Sequence, residues 1–134
     1  MAIRSRNIDR NSHIGWKAIS MPLGTTTVSQ TAKLAFACTP GFGFAVAGVE
    51  VFALTVTATA TIDVQIGSTS VLSAPITPVA ATPTDGVLAA SFPTLKGLAT
   101  DTLSLLYTTN GTGAITGGTV TVWIRPSDQE GDPQ

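Results

Sequence analysis

Between Val49 and Ile66 the chain reads VEVFALTVTATATIDVQI: eighteen residues with two charges and neither proline nor glycine. No other stretch restricts the fold as much. Its threonines, valines and isoleucines are β-branched, stiff at χ1, and fit a pleated surface better than a helix. In ATIDVQI, Ile62, Val64 and Ile66 alternate with Asp63 and Gln65. That is the period of two expected when one strand face is buried and the other wet. Upstream, Phe52, Leu54 and Val56 share one parity, and Val49, Val51 and Ala53 the other. This predicts a strand covered on both faces early and on one face later. The TATAT joint is either a short turn or a bend in one long strand.

Similar signals recur on both sides. TTTVSQTAKLAFAC predicts strands near 25–30 and 32–38. Pro40-Gly41 is a turn signal, after which Phe42 and Phe44 alternate with glycines, so both rings face one side of an extended segment. Gly67-Ser68 predicts a hairpin with a return strand through Val71-Leu72. Pro78 and Pro83 then oppose any central strand and mark a loop. Leu88, Phe92 and Leu95 have the spacing of one or two helical turns, and Pro93 rules out a longer helix. Near the end, DTLSLLYTTN is a strand with Leu103, Leu105 and Tyr107 on one side. GTGAITGG is the following loop, with Asn110-Gly111 as a hairpin turn. In TVTVWIRP, Val120, Val122 and Ile124 face one way and Thr121, Trp123 and Arg125 the other, until Pro126 stops the ladder. Seven or eight short strands with no βαβ rhythm make an all-β protein, an antiparallel β-sandwich or small barrel, with the sandwich preferred. The long connections favour a jelly roll over a meander.

Charge divides the chain into three parts. Charged residues make up 11% of the sequence, against roughly 25% in a typical globular protein. Twenty-two threonines help to supply the polar surface instead. Faces so poor in charge can pack on other subunits without burying unpaired ions. Arg4, Arg6, Arg10 and Lys17 are four of the seven basic residues, and the tail SDQEGDPQ carries Asp128, Glu130 and Asp132. Residues 1–24 are therefore expected to be an extended N-terminal docking arm, with Ile3, Ile8, Ile14 and Trp16 as its apolar contacts and Arg4, Arg6, Arg10 and Lys17 as its cations. Residues 25–126 are the sandwich domain, and 127–134 a flexible acidic tail. Four cations this sparse suit docking on an acidic protein surface better than specific nucleic-acid binding. Phe42, Phe44 and Trp123 are the candidate subunit-interface residues.

Reactive chemistry is scarce. His13 is the sole histidine and Cys38 the sole cysteine, which leaves no intrachain disulfide and too few soft ligands for zinc. An arm is also a poor frame for a base that must sit rigidly beside a nucleophile. Among the acids, only Glu50 and Asp63 are candidates to meet across neighbouring strands, and the outward parity of Asp63 between Ile62 and Val64 favours ordinary solvation over a catalytic pair. Asp85-Gly86 is a turn, and Asp101 precedes a strand. No calcium-loop pattern of oxygen ligands occurs. The glycines of NGTGAITGG are followed by neither lysine nor helix, so they are no phosphate loop. NGT is a glycosylation acceptor only in a secretory setting. No signal-peptide core or eighteen-residue apolar run is present, so no membrane span is expected. The expectation is a protein that is not an enzyme and takes no cofactor.

The series VFALTVTATATIDVQIGSTSVLSAPITP, followed by DTLSLLYTTNGTGAITGGTVTVWIRP, resembles small β-rich structural proteins of tailed-phage particles. These are auxiliary capsid decoration or head-fibre proteins and related tail-fibre modules. The resemblance covers about residues 45–126 and lies in texture: short strands, V-x-I-G and Y-T-T-N-G-T-G turns, and a closing V-x-V-x-x-R-P. It implies a sandwich fold, a homotrimer, and attachment to the major capsid protein on the outside of the virion, after assembly in the host cytoplasm. The N-terminal arm is then the natural anchor. The other reading is a receptor-binding tail module that recognises a cell-surface glycan beside Trp123 or Tyr107.

Overall fold

The computed structural model describes residues 17–26, 30–56, 60–92, 94–109 and 115–126. Ten strands follow in chain order: β1 (Lys17–Pro22), β2 (Thr25–Thr26), β3 (Gln30–Cys38), β4 (Phe44–Val56), β5 (Ala60–Ile66), β6 (Thr69–Ser70), β7 (Thr84–Asp85), β8 (Lys96–Gly97), β9 (Leu103–Thr109) and β10 (Ile115–Pro126). They form two sheets. The first runs β1-β10-β4-β7, with β2 also on β10 and β8 also on β4; the second runs β3-β9-β5-β6. All these pairings are antiparallel.

β1 and β2 lie end to end along β10, and β7 and β8 share one edge of β4. The ten strands thus fill eight positions. Apart from the β5–β6 hairpin and these end-to-end pieces, each step along the chain moves to the opposite sheet. Two four-position sheets wound this way are a jelly roll.

Alternation sets the core. Val49, Val51 and Ala53 of β4 face Val120, Val122 and Ile124 of β10 on one inner surface; Ile62 and Val64 of β5 join Leu103 and Leu105 of β9 on the other. All ten are buried. Covering a side chain of this size is worth roughly 1.5–3 kcal/mol, so these four strands supply most of the cohesion between the sheets. The early part of β4 is covered on both faces, since Phe44, Ala45 and Val46 are all fully buried.

Two irregularities bend the first sheet. Trp123 pairs with Gly48 but Ile124 with Val46, so Ala47 is an extra residue, a β-bulge. Further along β10, Gly117 and Gly118 have φ of 61° and 113°, a region that glycine enters without steric cost. Opposite them, the Gly117 N–H donates to the Gly24 carbonyl at 3.0 Å and the Leu23 N–H to the Gly118 carbonyl at 3.2 Å. The kink explains why β1 and β2 are separate strands in a single register.

Several sequence expectations change. β9 and β10 are not a hairpin: β9 pairs with β3 and β5, and β10 with β1, β2 and β4. Asn110-Gly111 lies outside the described residues. Whatever turn it makes, the strands it joins belong to different sheets. Ile115–Gly118, expected in the loop, already belongs to β10. The TATAT joint carries the chain from one sheet to the other, because β4 and β5 are not partners. No described residue from 88 to 95 is helical. The sheet begins earlier than expected. Residues 17–22, assigned to the arm, form β1, and Met21 and Leu23 are core residues. Residues 1–16 and the tail 127–134 lie outside the described residues. The Gly67-Ser68 hairpin is present, with Gly67 at φ 62°.

Candidate interaction surface

In an antiparallel sheet, directly opposed residues project from the same face. The outer face of the first sheet is therefore built from rows across its strands. One row is Ala18, Trp123 and Gly48; the next is Ser20, Thr121, Glu50 and Asp85; a third is Pro22, Thr119 and Phe52. Beyond the bulge, Arg125, Ala45 and Lys96 form a fourth. Trp123 is half-buried because its ring lies over Gly48: a Cβ on that glycine would sit 3.8 Å from Trp123 Cε3. Phe52 is half-buried too.

The carboxylate pair weighed from the sequence does not form, in line with the favoured reading of Asp63 as an outward residue. Glu50 and Asp63 lie on different sheets, so they do not form a facing pair. Asp63 is instead engaged locally. Its Oδ1 accepts from Ser70 Oγ at 2.5 Å and from the Val64 N–H at 2.9 Å, and its Oδ2 accepts from Gln65 Nε2 at 3.2 Å. Glu50 stands directly opposite Asp85, and among the described residues neither carboxylate has a side-chain partner. Sequence reasoning missed this pair because Asp85-Gly86 looks like a turn, and no local signal announces that β7 pairs with β4.

The other candidates are distributed as follows. Phe44 has no exposed surface and belongs to the core, so its ring is not available to a second subunit. Phe42 is half-buried against that core. Lys17 is exposed at the start of β1. Ile3, Arg4, Arg6, Ile8, Arg10, Ile14 and Trp16 lie outside the described residues. Tyr107 sits opposite Ile62 and packs on the core. Of the large apolar side chains, Leu34 on edge strand β3 is 54% exposed and Leu54, Val79, Val87 and Leu98 are at least half exposed.

Shallow clefts on the described surface include ones of about 350, 110 and 210 Å³. The first of these lies between the β5–β6 hairpin and the approach to β9, lined by Ile66, Ser70, Leu95, Lys96 and Asp101 among others. None of the three is lined by Trp123 or Tyr107, and none contains an aromatic ring. Among the described residues, no group of three or more His, Cys, Asp and Glu side chains is placed to hold a metal ion. No helix among them is long and apolar enough to cross a membrane.

Cys38 ends β3 half-buried, and desolvation pushes its thiol pKa above the ordinary value. The thiolate is the reactive form, so alkylation of the native protein at pH 7 should be slower than that of a small free thiol. The rate should climb as pH rises, and denaturation should remove the difference. Stopped-time labelling read by intact mass checks this.

Charge separates by segment once the sheet limits are known. Residues 17–126 hold Lys17, Lys33, Lys96 and Arg125 against Glu50, Asp63, Asp85 and Asp101, so they balance. Residues 1–16 carry three arginines and Asp9, and residues 127–134 carry three acids and no base. Lys17 is directly opposite Ile124, and β10 ends at Pro126. The basic and acidic segments therefore join the body at one corner of the first sheet.

No protein-family model and no curated protein matches the sequence. Among solved structures, the chain is similar to one in the structure of infectious bursal disease virus, Gx strain, with 16% identity and a TM-score of 0.40. The similarity covers 89% of this chain and 34% of the viral one, so the chain spans about a third of that protein's length.

Proposed function

We propose that the chain is a non-enzymatic virion structural protein that decorates the outer surface of a phage head and cements it. It acts as a homotrimer, with residues 1–16 as the segment that docks on the major capsid protein. The observation that carries this reading is the division of labour in the chain. A jelly-roll body with balanced charge bears a basic, isoleucine-containing segment and an acidic one, both joined at the same corner. A neutral body packs beside copies of itself without burying unpaired ions. Short basic segments add weak contacts that become strong when several copies in one assembly engage together. Trp123 and Phe42, both half-buried, are the aromatic side chains proposed to make contacts between subunits.

Fold alone does not fix function, since jelly rolls serve in capsids, lectins and cupins. The glycan-binding alternative has no specific observation in its favour, and its test is a glycan screen on the intact protein.

The test is to count copies on purified particles by quantitative mass spectrometry, and to compare heads with and without the protein under heating. A fixed stoichiometry per capsomer, and heads that rupture at lower temperature without it, are expected. Particles without any copies would sink the proposal. Light scattering on the free protein tests the trimer separately.

A further inference from the structure

We propose that the outer face of the first sheet binds the same face of a second copy, about a twofold axis that runs across the strands along the Ala18–Trp123–Gly48 row. A twofold contact does not close a trimer. It is therefore separate from the trimer proposed above, and it links copies in pairs whether or not they decorate a head.

Charge selects both the partner and its orientation. The face carries two acids in one row, Glu50 and the exposed Asp85, and two cations in another, Arg125 and the exposed Lys96. Glu50 and Asp85 are directly opposed on neighbouring strands, which is unfavourable for like charges. Thr121 belongs to the acidic row and Arg125 to the basic one, so the rows stand four residues apart along β10, about 13 Å. That exceeds the screening length of roughly 8–10 Å at ordinary salt, and within one chain the rows do little for each other.

The Trp123 row lies midway between them. Turning a second copy by half a turn about that row lays its basic row on the acidic row of the first, and the reverse. Asp85 and Lys96 lie on the same edge of β4, so Asp85 of each copy faces Lys96 of the other. A twofold axis along the strands would instead set acids on acids. Of the two axes that keep the packed strands aligned, only the one across them pairs opposite charges. The face is complementary to itself, which commits it to a second copy of this chain.

Shape permits the approach. Trp123 is half-buried with its ring over Gly48, and Ala18 and Gly48 have little or no side chain to hold two sheets apart. The two Trp123 rings meet at the axis, where offset or edge-on aromatic packing is favourable. Ser20 and Thr121 fill the acidic row with small polar groups. Four strand positions by three rows measure about 19 by 20 Å, or about 400 Å² of each copy in outline. A stable complex covers roughly 800 Å² per partner. The contact is therefore weak and reversible, and gains strength where an assembly holds several copies together.

The test is sedimentation equilibrium of the full-length protein at up to about 1 mM, where a contact this small is populated. The wild type should show a dilution-dependent doubling of mass, whether the smaller species is a monomer or a trimer. D85K and K96E should each weaken that step by about five- to thirtyfold, because two symmetry-related exposed ion pairs are lost. D85K/K96E keeps the wild-type net charge and should restore the step to within about threefold. D85K should not lower Tm, since it puts a cation opposite Glu50. No doubling at that concentration, or a double variant as weak as the singles, would overturn the proposal. Cross-linking tests the axis. In a C38S background, A18C stands on the axis row and T119C two rows from it. A short bismaleimide should join copies of A18C and leave T119C unjoined; equal yields would contradict the axis. These outcomes are independent of the copy count on heads, which tests the function proposed above.

Discussion

Gly118→Ala should cost about 4 kcal/mol or more, and lower Tm by more than about 10 °C in calorimetry. Two penalties add at this position. The φ of 113° is unfavourable for any residue with a side chain. A Cβ there would also run into the Phe52 carbonyl oxygen and lie 2.8 Å from Ala53 Cα. Both obstacles are backbone atoms of β4, held in register with β10, so relief requires the two strands to part at the centre of the first sheet. Gly41→Ala is the control. Its φ is 86° but nothing lies within 4 Å of the added carbon, so only the conformational cost of about 1–2 kcal/mol applies. If the two variants melted together, steric closeness at Gly118 would not be what fixes glycine there.

Phe44→Ala is expected to destabilise by about 3–5 kcal/mol, the usual cost of emptying a large buried aromatic site. Phe44 is among the largest fully buried side chains, and it sits where β8 meets β4, with Gly97 directly opposite. A Cβ on Gly97 would strike the ring, at 2.6 Å from Cε1 and closer still to Cζ. Gly97→Ala is therefore destabilising alone but should cost less once the ring is gone. In denaturant unfolding, the double variant should be more stable than the sum of the singles implies, by about 1–3 kcal/mol. Strict additivity would mean that the glycine and the ring do not share their space.

The parts of this fold that were legible in sequence are those where a period of two survives over a whole strand. Ile62 and Val64 of β5, and Val120, Val122 and Ile124 of β10, point inward as the alternation required. The errors have physical causes. Asn110-Gly111 between two apolar strands is a local hairpin signal, but turn chemistry does not say whether the flanking strands pair. Here they part to opposite sheets. β1 was hidden by its shortness and its arginine-rich neighbour, although Ile19, Met21 and Leu23 carry the right alternation. The candidate surface was less legible than the core. Trp123 was placed correctly on the outward parity of β10. Phe44 was misassigned because an apolar ring suits a core and an interface equally, and sequence does not distinguish them. The Glu50–Asp85 pair depends on a long-range register that no local pattern encodes.

The position of the last strand governs how a newly made chain can mature. β10 is the shared partner of β1, β2 and β4, so the first sheet has no interior until the C-terminal residues exist. During synthesis, β4 can present Val49, Val51 and Ala53 but has no long neighbour to cover its edge. The emerging chain can form the β5–β6 hairpin, and then β9 can join β3 and β5, but the two inner surfaces close only when Pro126 has left the ribosome. Pairings this distant in sequence are also slow to find. Maturation is thus a late, nearly all-or-none event. A chain interrupted anywhere before β10 would expose the apolar edge of β4 and aggregate, rather than persist as a shortened domain.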